Sequence, residues 1–155
     1  MKKKKDLQDV WISFHSINSY DEEEPDSLEF FTDGQYLFRD NVGCLSYLES
    51  EVTGLEGTRT SVTILPDQVV VDRDGTVTSR MVFRPGEKHA FLYDTPVGSA
   101  TMHMDTRGLS SRFNEHGGHM EIDYVMDMEH AFASRNRFHL TVKEQKQARR
   151  DTNHG

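Results

Sequence analysis

The stretch HMEIDYVMDME, residues 119–129, decides the fold of this chain. Apolar side chains occupy every second position, and acidic side chains occupy most of the positions between them. A period of two residues is typical of a strand with one face on a core and the other in solvent. We therefore predict a half-buried antiparallel strand, whose inner face carries Met120, Ile122, Tyr124, Met126 and Met128.

The same alternation continues on both sides of this stretch and ends repeatedly at turn-forming residues such as Asp-Gly and Pro-Asp. We predict hinges between consecutive strands at Asp33-Gly34 and at Arg107-Gly108. The sequence thus predicts an all-β fold, an antiparallel meander of about eight to ten strands that closes into a β-barrel. The other predicted strands are Asp9–Asn18, Leu28–Asp33, Gln35–Asp40, Cys44–Val52, Thr58–Leu65, Val69–Val71, Thr76–Phe83, His89–Tyr93, Ser99–Thr106, Leu109–Asn114 and Phe132–Val142.

The 155 residues fit one domain with a substantial core. We divide them into a disordered basic lead over residues 1–8, a single barrel domain over residues 9–143 and a polar tail over residues 144–155. The charge and apolar patterns of the chain suggest where it works. A net charge of -8 disfavours a nucleic-acid partner, because it repels phosphate backbones. No run approaches the roughly 20 apolar residues of a membrane span. The single cysteine, Cys44, and the lack of a signal-peptide pattern favour a cytoplasmic location.

The densest signal for function is the segment YLESEVTGLEGTRT, residues 47–60. If the strand runs to Val52, then Tyr47, Glu49 and Glu51 share one face. Carboxylates two residues apart on a strand lie roughly 7 Å apart, which overlaps the spacing used by inverting glycosidases. Because any Glu-x-Glu strand gives this spacing, a solvated outer face explains the pair more simply.

Histidine and methionine patterns give weaker signals. His103, His116 and His119 fall short of the ligands that a zinc site needs, so we expect no metal. The chain has no phosphate-binding loop and no Cys-x-x-Cys pair, and we expect no cofactor. Methionines such as Met102 and Met104 either fill a core or line an adaptable ligand cavity.

Several motifs together resemble a known family. They are Tyr47-x-Glu49-Ser50-Glu51-x-Thr53-Gly54-Leu55-Glu56-Gly57-Thr58-x-Thr60, Arg73-x-Gly75, Met81-Val82-Phe83-x-x-Gly86, Tyr93-x-Thr95-Pro96-x-Gly98 and Gly117-Gly118-x-x-Glu121-Ile122-Asp123-Tyr124. The chain, from about Val10 to Glu144, resembles the YwiB-like family of uncharacterised bacterial proteins, from which Asp74 departs. The resemblance implies a calycin-type, lipocalin-like β-barrel of the bacterial cytoplasm. It implies no activity and supplies no catalytic residues.

Three functional hypotheses stay open. The leading one is a non-enzymatic barrel that holds a small molecule in its mouth, with no catalytic residue assigned. The second is a hydrolase that uses Glu49 or Glu51 as acid or base. The third is an interaction module whose exposed edge or apolar patch binds a partner or forms a homodimer. The predicted ligand-binding residues are Tyr47, Glu49, Glu51, Glu56, Thr58, Thr60, Arg73, Tyr93 and Tyr124.

Overall fold

The computed structural model describes residues 7–20, 24–128 and 133–145, and within these residues it contains ten β-strands and no helix. Most of the predicted basic lead and polar tail lies outside the described residues. The strands are β1 Gln8–Tyr20, β2 Asp26–Arg39, β3 Val42–Leu48, β4 Thr58–Ile64, β5 Val69–Gly75, β6 Ser79–Phe83, β7 Lys88–Thr95, β8 Gly98–Asn114, β9 Gly117–Met128 and β10 Ala133–Glu144.

All ten strands form one antiparallel sheet in the order β6-β5-β4-β3-β2-β1-β10-β9-β8-β7. The first and last strands of the chain, β1 and β10, pair with each other from Val10–Glu144 to Tyr20–Ser134. The two ends of this order, β6 and β7, also meet, because Thr78 and Asp94 exchange two backbone hydrogen bonds of 3.0 Å. The sheet therefore closes on itself, and the predicted all-β meander that closes into a barrel is confirmed.

The alternation that predicts the strands also sets which side chains point into the barrel. On β9, Met120 and Ile122 are fully buried, whereas Glu121 between them is exposed. On β10, Phe138 and Leu140 lie in the core in the same way. Local polarity thus decides the inner face of these strands, as the period of two residues requires.

Two predicted hinges are wrong. Residues 26–39 form the single strand β2, and Gly34 lies inside it, opposite Val10 of β1. A Cβ atom at Gly34 would lie 2.5 Å from the backbone oxygen of Ser46 and 2.8 Å from Cδ1 of Ile12. The glycine is needed because the backbone and side chains of both neighbouring strands approach it closely, not because the chain turns there.

Residues 98–114 likewise form one strand, β8, rather than two strands separated by a turn. The register with β9 shifts between Thr106 and Gly108, and pairing continues on both sides of the shift. Arg107-Gly108 therefore forms a β-bulge, which absorbs an extra residue without reversing the chain.

One end of the barrel is filled with side chains. Val10, Ile12 and Tyr36 are fully buried there, and the phenol of Tyr36 donates a 2.7 Å hydrogen bond to the backbone oxygen of Asn114. We call this the closed end. Further along β1, the inward side chains from Phe14 onward are only half-buried. We call the end towards which they point the open end.

Candidate functional site

A cavity of about 330 Å³ lies inside the open end of the barrel. This volume is within the range of small-molecule sites, which are commonly lined by apolar and aromatic side chains with a few polar groups. Most of the wall has this apolar character. The apolar lining includes Phe14, Leu28, Phe30, Val62, Val71, Met81, Phe83, Phe91, Met102, Met120, Met126, Phe138 and Leu140.

Polar side chains form a row across one wall of the cavity. Tyr47 of β3 pairs with Thr60 of β4, and Thr60 pairs in turn with Arg73 of β5. Arg73 pairs with Ser79 of β6. Residues at the same level of adjacent strands point to the same face of a sheet. Tyr47, Thr60 and Arg73 all line the cavity, and the row continues towards Tyr93, which lines it from β7.

Glu49 lies next to this row, just after the end of β3. Its backbone N–H donates to the carbonyl oxygen of Thr58 at 2.9 Å, so the pairing of β3 with β4 extends to it and its side chain points inward. Glu49 as a whole is 8% exposed. Its Oε2 accepts a 2.5 Å hydrogen bond from Oγ1 of Thr60, and its Oε1 accepts one of 2.9 Å from Oγ1 of Thr53. Both carboxylate oxygens are therefore satisfied by threonine hydroxyls.

The phenols of Tyr47, which is buried, and Tyr124, which is partly buried, keep their protons over the physiological pH range. Burial raises the pKa of Tyr47 well above its ordinary value, and the nearby carboxylate of Glu49 raises it further, whereas Arg73 opposes the rise. Burial raises the pKa of Tyr124 to about 12, again with Arg73 acting in the opposite direction. Both phenols are therefore hydrogen-bond donors at neutral pH.

Arg73 is the cation of this wall. Its Nη1 lies 3.6 Å from the sulfur of Met81, and its Nε is buried without a hydrogen-bond partner in the described part of the chain. A second arginine, Arg137, reaches the rim of the cavity but forms ion pairs with Glu121 at 3.6 Å and Asp123 at 3.4 Å. The two arginines thus differ, because acidic side chains of the outer face pair with Arg137, whereas no carboxylate of the described ranges forms an ion pair with Arg73.

A second polar row faces the first from β1, β10 and β9. Asn18, Asn136 and Tyr124 lie at one level, and all three line the cavity. Asn136 is buried, and its Nδ2 donates a 3.0 Å hydrogen bond to Oγ of Ser134. Sequence reasoning missed Asn136, although its position two residues before the inward Phe138 marks it as a polar residue on an apolar face.

The structure brings most of the predicted ligand-binding residues together and separates the rest. Those that line the cavity are Tyr47, Glu49, Thr60, Arg73, Tyr93 and Tyr124. Thr58 is buried away from it, and its Oγ1 accepts a 3.2 Å hydrogen bond from the N–H of Val77.

Glu51 and Glu56 are exposed in the connection between β3 and β4. The prediction that Glu51 shares a strand face with Glu49 is wrong, because β3 ends at Leu48 rather than Val52. The chain then turns, with the N–H of Gly54 bonded to the oxygen of Glu51 at 3.1 Å.

The histidines of the metal hypothesis do not converge. His103 lies 3.7 Å from Asp127, whereas Nδ1 of His116 lies 2.7 Å from Glu144 at the closed end. Over the described ranges, no group of three or more His, Cys, Asp or Glu side chains could hold a metal ion.

The fold and the cavity define the class: a closed antiparallel β-barrel with a solid end and a hollow end. Residues 12–140 match the model of the family described as Domain of unknown function (DUF1934), and the chain belongs to that family. The chain is also similar to the crystal structure of the ywiB protein from Bacillus subtilis. The TM-score is 0.81 at 23% identity, over 91% of this chain and 94% of that one.

At this identity the structural likeness shows the fold alone. The resemblance to the YwiB-like family is confirmed by the family match and by the shared barrel. No curated protein matches the chain. Within the described residues, no helix has the length and apolar character needed to cross a membrane.

Proposed function

We propose that this protein is a non-enzymatic binding module that holds a small molecule in the cavity at the open end of the barrel. The observation that carries the proposal is the placement of Arg73, a cation on the wall of a cavity otherwise lined mainly by apolar and aromatic side chains. Barrels of about eight strands have interiors that can hold one small ligand, as lipocalins do. The calycin-like resemblance of the sequence supports the same function.

The contrast between the two ends supports a built site rather than a packing defect. The closed end packs Val10, Ile12 and Tyr36 without exposure, so this sequence can fill a barrel interior where its side chains are apolar and bulky. The cavity lies in the other half, where the inward positions include Ser16 and Asn18. Small and polar residues at inward positions leave volume and hydrogen-bonding groups for an occupant.

Hydrolysis by a pair of carboxylates receives less support. Two-carboxylate glycoside hydrolysis needs both groups beside the scissile bond. In the part of the chain that the structure describes, Glu49 is the one carboxylate that lines the cavity, and its two oxygens accept hydrogen bonds from Thr53 and Thr60. Glu51 lies outside on the connection, so the predicted pair does not share a site.

A homodimer stays a prediction. Trp11 and Phe31 stack with ring centroids 5.3 Å apart on the outer face of β1 and β2, and Phe31 is 64% exposed. Light scattering of the purified protein tests it, and a monomer at every concentration would contradict it. We propose no nucleic-acid or membrane partner, given the net charge of -8 and the lack of an apolar run. The lone thiol of Cys44 suits a cytoplasmic protein.

Native mass spectrometry after incubation with a metabolite extract tests the binding proposal. The blocked variant is Ser16→Trp, since Ser16 lines the cavity from β1. The matched control is Ser27→Trp, which places the same side chain at an exposed position of the adjacent strand β2. We expect the wild type and Ser27→Trp to retain a ligand mass that Ser16→Trp loses. Retention of no small molecule by the wild type, or the same retention by all three proteins, would contradict the proposal.

A further inference from the structure

Three hydrogen-bond donor groups of the cavity wall have no strong acceptor among the described residues. In the described part of the chain, the guanidinium of Arg73 makes one hydrogen bond, to the sulfur of Met81, which is a weak acceptor. The phenols of Tyr93 and Tyr124 line the same cavity and make no hydrogen bond with any described residue. An arginine and two phenols therefore face the cavity as donors.

The acceptor that could balance Arg73 is already engaged. Glu49 is the single carboxylate that the described residues contribute to the lining, and both of its oxygens accept hydrogen bonds from threonine hydroxyls. No carboxylate of the described residues lies within ion-pair distance of Arg73, whereas the rim arginine, Arg137, has two such partners. A partly buried cation that forms no ion pair with a described residue is costly to desolvate, and an anionic group brought by an occupant offsets that cost.

The apolar side chains of the lining indicate the chemical character and the size of the rest of the ligand. Methionine side chains from two adjacent strands, Met102 of β8 and Met120 and Met126 of β9, line the cavity together with Phe138. Unbranched thioethers adapt to the shape of an apolar group. At roughly 30 Å³ for each water molecule in the liquid, the cavity volume corresponds to roughly ten waters, which is the size of a small organic acid.

We propose that the ligand of this cavity is a small amphipathic anion, with a carboxylate or phosphate head bound by Arg73 and Tyr124 and an apolar body among the methionines. This inference rests on the proposed binding function and adds the chemical class of the ligand. The guanidinium fork supplies parallel donors that match two oxygens of such a head group. The phenol of Tyr124 adds a neutral donor, since it keeps its proton at neutral pH.

Isothermal titration calorimetry at pH 7.5 with octanoate, octyl phosphate, 1-octanol and octylammonium tests the inference, because these probes share one chain and differ in the head group. We expect at least one of the two anions to bind about ten- to a hundredfold tighter than 1-octanol, as charge-assisted hydrogen bonds predict. Octylammonium should bind more weakly than 1-octanol. The series uses the wild-type protein, so it does not depend on the folding of a variant.

Two variants assign the preference to Arg73. Arg73→Met should remove the tighter binding of the anions and leave the affinity for 1-octanol within about threefold. Arg80→Met is the matched control, because Arg80 is an exposed arginine of the adjacent strand β6, paired with Asp72 on the outer face. It should keep the wild-type preference.

Binding of 1-octanol or octylammonium as tight as that of both anions would overturn the anion assignment and leave the binding function intact. Failure of all four probes would also overturn it, and the retained mass in native spectra would then decide the binding function separately. A preference for anions that survives in Arg73→Met would overturn the role of Arg73.

Discussion

Oγ1 of Thr60 donates a 2.5 Å hydrogen bond to Oε2 of Glu49, and both residues are buried. The contact joins the inner face of β4 to the first residue beyond β3. It holds the carboxylate of Glu49 against the wall of the cavity, so that this group does not reach across the cavity as a free charge. Hydrogen bonds to charged groups are among the stronger ones in proteins, and the loss of the donor leaves a buried acceptor unsatisfied.

The Thr60→Val substitution should therefore destabilise the fold. It keeps the shape of the side chain and removes the hydroxyl, so we expect the free energy of unfolding to fall by about 1–3 kcal/mol. Urea denaturation measures the change. Thr63→Val is the control, because Thr63 lies on the outer face of the same strand and should change stability by less than about 0.5 kcal/mol. Equal effects of the two substitutions would contradict the role of the hydrogen bond.

Tyr124 should make the fold sensitive to alkaline pH. An unfolded tyrosine loses its proton near pH 10, whereas burial raises the pKa of Tyr124 to about 12. Between these pH values the folded state binds more protons than the unfolded state, so the free energy of unfolding falls as the pH rises. Below pH 10 the contribution is constant.

The Tyr124→Phe substitution removes the phenol, and with it one of the protons that the folded state binds and the unfolded state loses between pH 10 and 12. The slope of unfolding free energy against pH, measured by urea denaturation between pH 10 and 12, should become shallower by about 1.4 kcal/mol per pH unit. Tyr36 and Tyr47, whose pKa values burial also raises, should keep a residual slope in the variant. A slope identical to that of the wild type would show that Tyr124 is not buried as described.

Two glycines that sequence reasoning assigned to turns should respond differently to alanine. Gly34→Ala places a methyl group 2.5 Å from the oxygen of Ser46, so we expect a loss of about 1–3 kcal/mol or more through overpacking. At Gly108 the nearest atom to the added methyl group is 3.7 Å away, and we expect a change of less than about 1 kcal/mol. Thermal unfolding compares them. A well-tolerated Gly34→Ala would contradict the close packing of β2 against its neighbours.

The sequence predicts the strands well because alternating polarity is a local property. The inward set of β9, from Met120 to Met126, follows directly from it. Asp33-Gly34 has the composition of a turn, and the reason for its extended backbone is a close approach from Ser46 of the next strand. No residue near Gly34 in the sequence reports that approach, because it arises only when the strands pair.

The candidate site is likewise predictable where it depends on local sequence, and not where it depends on how the strands pair. The segment 47–60 and the motif around Arg73 identify one wall of the cavity, since Tyr47, Thr60 and Arg73 are paired neighbours on three successive strands. The exposure of Glu51 is not predictable from the alternation, because the strand ends where turn hydrogen bonds replace sheet pairing. The free donors of Arg73 are also a tertiary property, since they depend on which carboxylates the closed barrel brings near.

A small molecule that enters the open end of the barrel would contact the methyl groups of the methionines that line the cavity, so these methyl groups report on binding most directly. Met81, Met102, Met120 and Met126 line the cavity. Met104 is packed in the core, 2% exposed, and Met128 lies exposed at the end of β9. The two groups of methionines thus sample the cavity and its surroundings in one experiment.

Carbon-13 methyl-methionine NMR spectra, recorded while octanoate and then a metabolite extract are titrated into the protein, make this measurement. We expect saturable shifts at Met81, Met102, Met120 and Met126, and little change at Met104 and Met128. Shifts confined to Met128, or no saturable shift at any methionine with either addition, would contradict binding in the cavity.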